Sequence, residues 1–390
     1  MRKFLLLLIV ALLVSCGKQY KIEDSYGLKP VNHYLEYMID DDTEIPIFNL
    51  YTFENNGIEY LTFSNYKSRV ILIYELYSGK FVKKICFDGE GANGIGSWLF
   101  GFYIKDFQHI YLPSANTELI YLTDTTGVLR QKINFSRTED GLMPVKAYYT
   151  NLDNTQLEIL GDSLYIPQIL NVRLGEKMVQ DSPIGIFVDT LTGKVSRFPF
   201  NYPPIIPYNK VRKVIEGPLT SSQVYNGEDW IVSFAKDEKI YRINKKGQAE
   251  TFLAKSRYIP KFEFPKIPSD FSLTLKKSCE AADYGNILYD KYRKVYYRFV
   301  YPETELDSGE DYLKILHTGK KEFSIMILDE NFKVLGETRF PAFTYVPHIS
   351  FINEDGLYLS VSHFKREDYS DDWLRFQRIK LVEKNHAKKI

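Results

Sequence analysis

The sequence predicts an all-β fold, a six-bladed β-propeller built from four-stranded antiparallel blades. Three observations carry this prediction. Short β-type runs recur along almost the whole chain, polar turns join them in groups of four, and helical apolar periodicity is missing. The 30 Tyr and 26 Phe suit half-buried strands, since one end of each ring can lie in the core while the other meets water.

The clearest group of four runs lies within residues 95–135. Its runs are rich in Tyr, Ile, Leu and Phe, and the joints between them carry turn residues. The expected strands are residues 99–104, 109–113, 118–123 and 128–135. Four antiparallel strands in roughly 40 residues are typical of one propeller blade.

The same pattern divides the chain into six blades. Blade one is expected at 45–53, 58–66, 69–77 and 80–87, and blade two is the stretch above. Blade three is expected at 155–160, 163–170, 184–190 and 194–200, and blade four at 222–226, 229–236, 239–244 and 249–254. Blade five is expected at 282–290, 294–301, 322–329 and 333–340, and blade six at 348–353, 356–364 and 373–382.

The turn before the last strand of each blade is the most regular repeat. Gly or Asn stands there, as in Ser78-Gly79 and Thr126-Gly127, because a tight hairpin needs a positive φ at that point. Blade six has only three strands of its own. We expect residues 32–39 to supply its fourth strand, because this closes the ring and removes exposed sheet edges.

The N-terminus has the pattern of a targeting segment. Arg2 and Lys3 precede an apolar run of 11 residues, Phe4 to Val14, which is shorter than the ~20 residues that span a bilayer. Leu13-Val14-Ser15-Cys16 resembles the lipobox of bacterial lipoproteins, which implies lipidation of Cys16, with palmitate among the acyl chains. The alternative is an ordinary signal peptide with a chance Cys.

These boundaries give the expected domain plan. Residues 1–15 form a lipoprotein signal peptide, 16–30 the lipidated Cys and a flexible tether, and 31–390 a single propeller domain. Gly17 follows Cys16, and by resemblance to lipoproteins of Gram-negative cells this implies the outer membrane, on the periplasmic or the cell-surface side. Cys86 and Cys279 remain, either as a disulfide or as two small buried residues.

Blade two also resembles an NHL-type repeat. The glycine-rich residues 87–106 lead into His109-Ile110-Tyr111-Leu112, and Asp124-Thr125-Thr126-Gly127 closes the unit. With the lipobox and six irregular blades, the whole chain resembles uncharacterised Gram-negative lipoproteins that carry a TolB-like six-bladed propeller. This resemblance implies an extracytoplasmic binding protein and no catalytic residues.

Composition and motifs exclude several function classes. Lys+Arg and Asp+Glu both number 50, so the clustered basic excess of a nucleic-acid-binding protein is not expected. Motifs of serine hydrolases, zinc proteases and phosphate-binding loops are absent from the sequence. No cofactor is expected, with Ca²⁺ as the one possibility.

That possibility rests on the loop from Asp88 to Gly94. Asp88, Glu90 and Asn93 offer oxygen ligands of the kind that Ca²⁺ binds. The alternative is a connection between blades whose glycines permit a tight turn.

Ligands of propellers usually bind over the central channel. His348, Asp283 and Asn286 stand at the starts of first strands, where they could reach the channel mouth, or could be satisfied core groups. The corresponding positions in other blades are apolar, namely Phe48, Phe102 and Leu157. This argues against a full ring of metal ligands.

Residues 289–305 carry a further candidate. Arg293, Arg298 and Tyr297 could bind a carboxylate or stack on a sugar. Arg298 could instead lie between blades and donate to loop carbonyls.

Two functions follow from these features. The first is a propeller lipoprotein, anchored in the envelope membrane, that binds a protein, peptide or glycan. The second is a metal-dependent hydrolase or lactonase with its site at the channel mouth.

Overall fold

The computed structural model describes residues 23–43, 45, 47–65, 69–99, 101–114, 117–145, 157–170, 176–204, 220–263 and 268–384. Within these ranges the chain forms six four-stranded antiparallel sheets, and the predicted six-bladed propeller is confirmed. The signal segment, Cys16 and the first part of the expected tether lie outside the described residues.

The blades follow one another along the chain. Blade one is β2 (Phe48–Asn55), β3 (Ile58–Asn65), β4 (Val70–Glu75) and β5 (Phe81–Cys86), and blade two is β6 (Tyr103–Asp106), β7 (His109–Pro113), β8 (Leu119–Thr123) and β9 (Leu129–Asn134). Blade three is β10 (Glu158–Leu160), β11 (Ser163–Pro167), β12 (Gly185–Asp189) and β13 (Val195–Arg197), and blade four is β14 (Ser221–Tyr225), β15 (Trp230–Phe234), β16 (Lys239–Ile243) and β17 (Ala249–Leu253). Blade five is β18 (Asp283–Asp290), β19 (Val295–Tyr301), β20 (Ser324–Asp329) and β21 (Val334–Arg339).

Blade six closes the ring. It combines β22 (Val346–Asn353), β23 (Gly356–Ser360) and β24 (Trp373–Glu383) with β1 (Tyr26–Met38), and β1 runs antiparallel to β24 from Tyr26 opposite Glu383 to Met38 opposite Trp373. The predicted N-terminal closing strand is therefore confirmed. It begins at Tyr26, ahead of both the expected strand start at 32 and the expected domain start at 31.

The described helices are short. They are α1 (Glu176–Gln180), α2 (Phe271–Glu280) and α3 (Tyr312–Thr318). Asp270 caps α2 by accepting from the Leu273 N–H, and Asp311 caps α3 by accepting from the Lys314 N–H. In the described part of the chain, every helix is too short or too polar to cross a membrane.

Chain connectivity gives the ring two different faces. In blades one to five, hairpins join the first strand to the second and the third to the fourth, and blade six has the first of these two hairpins. We call the side where the hairpins lie the hairpin face. The second-to-third connections and the crossings between blades lie on the opposite side, the connection face. The helices α1, α2 and α3 all belong to segments of the connection face. Long insertions therefore concentrate on one side of the ring.

The core consists of layers between neighbouring blades. Among the described residues, six apolar clusters each join two adjacent blades, including one between blade six and blade one. Alternation along each strand sends successive side chains to the two neighbouring layers. A seventh cluster, with Cys279, Leu306 and Ile315 buried, packs α2 against α3.

Three details of the sequence prediction need correction. The first strand of blade two begins at Tyr103 rather than 99, and Asp106 belongs to the strand instead of the turn. In blade five the positive φ falls on Phe332, at 60°, and not on Asn331. Cys86 and Cys279 are free thiols, and Cys86 is exposed rather than buried.

Candidate functional site

The strongest candidate site is a cavity on the axis of the ring. Its volume is about 220 Å³, and its wall comes from the first strands of five blades, β2, β10, β14, β18 and β22. One edge of each first strand pairs with the second strand, so the other edge faces the axis. The cavity therefore meets backbone polar groups as well as side chains. The lining residues are Leu50, Tyr51, Thr52, Glu158, Gln223, Val224, Ile287, Leu288, Tyr289, Ser350, Phe351 and Ile352.

Glu158 is the acidic group of this cavity. It is the first residue of the three-residue strand β10, opposite Tyr165 of β11. Its neighbours Leu157 and Ile159 pack in the layer between blades two and three, so alternation turns the Glu158 side chain toward the axis. Loss of hydration raises the pKa of Glu158 to about 7.

Two tyrosines lie beside this carboxyl group. The Tyr51 and Tyr103 hydroxyls lie close to each other and to the backbone of Ile159. Their ring centroids are 5.4 Å apart. Burial is the main cause that raises the pKa of both phenols, and the charge of Glu158 adds to it. Both tyrosines therefore stay neutral hydrogen-bonding groups next to Glu158.

Two further polar side chains of the wall differ in their hydrogen bonding: Gln223 of blade four is satisfied, and Ser350 of blade six is not. Gln223 accepts from the Tyr165 hydroxyl at 2.6 Å and donates to the Ile184 carbonyl at 3.3 Å. Ser350 is only 6% exposed, and its Oγ has no hydrogen-bond partner among the residues that the structure describes. A buried hydroxyl without a partner is costly, so Ser350 is a natural contact for a bound polar group.

The structure places three expected channel residues elsewhere. Asn286 and His348 do not line the cavity, whose wall contains Ile287 and Ser350 instead. The cause is a β-bulge in each first strand, between Tyr284 and Ile287 and between Val346 and Ser350. A bulge adds a residue and changes which side chains face the axis. Simple alternation from the start of these strands was therefore wrong.

Asp283 has a structural environment of its own. Its carboxylate lies between Lys236, at 2.6 Å, and Lys320, at 2.5 Å. Burial alone would raise the pKa of Asp283, but the two ammonium groups hold it below its ordinary value. The same ammonium groups donate to the carbonyls of Ala282 and Ala281. The Lys236 contacts join the second-to-third connection of blade four to the start of blade five.

His348 lies among other histidines. Burial, followed by the neighbouring His317, lowers the pKa of His348 to about 4. Burial also lowers the pKa of His363 to about 4. These imidazoles are therefore neutral at pH 7 and are packed near α3.

Arg298 is fully buried between blades four and five. Its Nε donates to Ser233 Oγ at 2.9 Å, and its two terminal nitrogens donate to loop carbonyls of blade four, including Asp237 at 2.6 Å and Ala254 at 2.8 Å. The guanidinium lies 3.4 Å from the ring centroid of Tyr284. The expectation of a ligand-binding Arg298 does not fit this placement, whereas the alternative of an arginine between blades does.

Arg293 and Tyr297 also have structural partners. Arg293 forms an ion pair with the buried Asp290 at 2.8 Å and donates to the carbonyls of Asn353 and Glu354 in blade six. The Tyr297 hydroxyl donates to Asp290 at 3.2 Å. This network ties the first hairpin of blade five to that of blade six, so neither residue lies in the axial cavity.

The glycine-rich loop forms a closed turn. Ile95 N–H donates to the Asp88 carbonyl, Gly96 N–H to Gly89 and Gly94 N–H to Gly91. Asp88 and Glu90 are exposed and Asn93 is half-buried. Across the described ranges, no group of three Asp, Glu, His or Cys side chains is arranged to hold a metal ion. The geometry agrees with a connection between blades.

Sequence reasoning missed Glu158. The sequence predicts a first strand at 155–160 but places Leu157, rather than Glu158, at the position that faces the channel. The available signal is one charged residue between the apolar residues Leu157 and Ile159.

The fold and the cavity define a class, a six-bladed β-propeller with an axial cavity. Residues 24–339 match the model of the domain of unknown function DUF4221, and the chain belongs to this family. A comparison with curated protein sequences finds no match.

Two crystal structures show the same architecture. A DUF4221 family member from Bacteroides vulgatus is 25% identical, with a TM-score of 0.81, and the match covers 93% of this chain and 100% of that one. A putative exported protein from Bacteroides fragilis is 13% identical, with a TM-score of 0.52, and the match covers 94% of this chain and 98% of that one. The second match shows the fold alone.

Proposed function

We propose that this protein is a binding lipoprotein of the bacterial outer membrane, whose axial cavity receives a polar group of a protein, peptide or glycan. The observation that carries the proposal is the pairing of two unsatisfied groups in one cavity. Within the described residues, Ser350 Oγ has no hydrogen-bond partner and Glu158 has no ion-pair partner. Convergent polar groups of this kind in a preformed apolar cavity are typical of a binding site.

The size of the cavity limits what it can take. A volume of about 220 Å³ corresponds to roughly seven water molecules at liquid density. It therefore suits one side chain, one chain end or one sugar unit, while the rest of a larger ligand would contact the surface of the ring.

The sequence supports the membrane anchor. The lipobox resemblance ending at Cys16 implies a lipid anchor a few residues before the closing strand. The resemblance to TolB-like propeller lipoproteins also implies such an anchor. Because β24 runs from the connection face to the hairpin face and β1 is antiparallel to it, the chain enters the ring at the hairpin face. An anchor at Cys16 would hold this face toward the membrane and leave the connection face with its long insertions accessible.

The metal-dependent hydrolase is not favoured by a specific observation. It requires several ligands that converge on one ion, and the described residues form no such group. Among the described lining residues, Glu158 is the one acid and the others are neutral.

Anchoring is tested by changing Cys16 to Ser in the full-length protein. Metabolic labelling with palmitate and fractionation of the envelope should show a lipidated outer-membrane protein for the wild type. The variant should lose both the label and the membrane association. Membrane association without the label would contradict a lipid anchor.

Binding is tested by capture from solubilised envelope. The wild-type ring should retain a partner that a Ser350→Met variant, with its cavity partly filled, fails to retain. The control is Glu228→Gln, because Glu228 is an exposed residue in the first hairpin of blade four. This variant should retain the partner. Equal capture by all three proteins would show that the cavity does not bind it.

A further inference from the structure

The chemistry of Glu158 narrows the class of ligand. Among the residues that the structure describes, the cavity wall contains no Lys, Arg or His, and Glu158 has neither a hydrogen bond nor an ion pair. A carboxylate in this position loses hydration without gaining a counter-charge. A positive charge on the ligand would supply the counter-charge of the Glu158 carboxylate.

The remaining polar groups are suited to accept hydrogen bonds from such a ligand. Ser350 Oγ is buried and unpaired among the described residues, and the axial edges of the first strands expose backbone carbonyls. The hydroxyl pair of Tyr51 and Tyr103 borders Glu158. An ammonium group carries three donors and no acceptor, so it can use several of these oxygens at once.

The ring of Tyr51 gives a second attraction. Tyr51 lines the cavity and packs against Tyr103, with centroids 5.4 Å apart and planes inclined at 52°, so Tyr51 supplies an aromatic wall beside the carboxyl group. Aromatic faces attract cations, and more strongly when the cation is desolvated. A carboxylate next to an aromatic wall favours a compact organic cation over a neutral sugar.

We infer that the axial cavity binds a ligand through a protonated primary amine, which pairs with the Glu158 carboxylate and donates to Ser350. This inference deepens the proposed function and rests on it. The amine can come from a lysine side chain of a peptide or protein, or from a free small amine. Both sources share the same recognition chemistry, and suitable probes separate them.

The experiment measures binding to the soluble protein by calorimetry at pH 8. The probes are Nα-acetyl-lysine amide, its uncharged counterpart Nα-acetyl-norleucine amide, n-butylammonium chloride and a neutral chitin trisaccharide. The lysine probe should bind at least tenfold more tightly than the norleucine probe, because only the former makes a charge-assisted hydrogen bond. Tighter binding of the lysine probe than of butylammonium indicates a peptide ligand, and the reverse order indicates a free amine.

The variants assign the effect to this site. Glu158→Gln preserves the shape of the side chain and should reduce lysine binding at least tenfold, while Glu228→Gln should leave it unchanged. Binding should also strengthen from pH 5 to pH 8 as Glu158 ionises. Among the described residues, the titratable groups beside Glu158 are the phenols of Tyr51 and Tyr103, and Tyr289 also lines the cavity. Burial raises the pKa of the Tyr51 and Tyr103 phenols, so both stay neutral in that interval.

Each result has a clear consequence. Equal binding of the lysine and norleucine probes, or an unchanged affinity in Glu158→Gln, overturns the inference of an amine ligand. Binding of the trisaccharide alone also overturns it and leaves the proposed binding function standing as glycan recognition. Failure of all probes together with equal envelope capture by the Ser350→Met protein overturns both.

Discussion

The hydroxyl of Tyr37 donates a 2.6 Å hydrogen bond to the carbonyl of Leu76, which joins the N-terminal strand of blade six to blade one. Tyr37 is completely buried, and its ring packs edge-on against Tyr74 of blade one and Phe376 of blade six. The first strand of the chain therefore completes blade six and also fills the last layer between blades.

Loss of this strand should open the ring. Deletion of residues 17–40 should lower the melting temperature sharply, because it exposes the edge of β24 and removes part of the closing layer. As a milder test, Tyr37→Ala should cost about 3–5 kcal/mol of unfolding free energy, and Tyr37→Phe about 1 kcal/mol. Urea unfolding measures both substitutions. Unchanged stability of the deletion would contradict closure by β1.

Arg298 should affect stability and not binding. Arg298→Met leaves several buried carbonyls without a donor, so we expect a loss of about 3 kcal/mol or more. Arg298→Lys should recover little of it, since an ammonium cannot reproduce the planar set of donors. Capture of a partner by the folded variants, measured well below their melting temperatures, should equal that of the wild type. Lost capture with normal unfolding would restore Arg298 as a ligand-binding residue.

Much of the ring could be predicted because its determinants are local. Turn residues such as Gly79 and Gly127 and the alternation within each run place most strands within a few residues. The partner of β24 was predictable from one missing strand. Such features depend on neighbours in sequence.

The site was less predictable because its determinants are not local. Bulges shift the axial positions to Ile287 and Ser350, and a bulge is set by packing across blades rather than by composition. The environment of Glu158 depends on Tyr51 and Tyr103, which are far away in sequence. A charged residue in a strand can face solvent, a neighbouring blade or the axis, and only the assembled ring decides between them.

Two hairpin glycines should respond differently to the same substitution. Gly247 and Gly193 occupy equivalent turns and have similar φ values, 78° and 72°. A Cβ on Gly247 would lie 1.9 Å from the Pro199 carbonyl oxygen of blade three, whereas a Cβ on Gly193 would meet no atom of the described residues within 4 Å.

Gly193→Ala should therefore lower the free energy of unfolding by only about 1–2 kcal/mol, which is the cost of a left-handed backbone conformation for a residue with a Cβ. Gly247→Ala should cost about 1–3 kcal/mol more, because the blades must separate to admit the methyl group. Chemical unfolding of the two variants gives the comparison directly. Equal losses would show that the contact with Pro199 relaxes without cost.

Acidification should destabilise the protein through His348. The pKa of this imidazole is about 4 in the folded chain against an ordinary value of 6.5, so the unfolded chain binds more protons between these values. Stability falls as pH decreases from 6.5 to 4, and this group contributes about 2 kcal/mol of loss at pH 5. A His348→Gln variant should lack that part of the loss. Urea unfolding at pH 7 and pH 5 measures it, and an identical pH dependence in both proteins would contradict the prediction.

Glu158 should have the opposite effect on stability. Its pKa is about 7 in the folded chain against an ordinary value of 4.5, so the folded chain binds more protons than the unfolded chain between these two values. The free energy of unfolding therefore decreases as pH rises through this interval, by on the order of 3 kcal/mol for this one group. Glu158→Gln removes the ionisation and should gain that amount, relative to the wild type, between pH 4.5 and pH 8.

The difference in unfolding free energy between the wild type and Glu158→Gln reports the ionisation of Glu158, because all other groups titrate alike in both proteins. Denaturant unfolding across this pH range should show nearly equal stability trends below pH 4.5 and a growing advantage of the variant above it. Saturating Nα-acetyl-lysine amide should stabilise the wild type at pH 8 and leave the variant almost unaffected, since only binding to the folded state adds stability. A constant difference at every pH would mean that the carboxyl group is well hydrated in the channel, and that its ionisation has no cost for a cationic ligand to relieve.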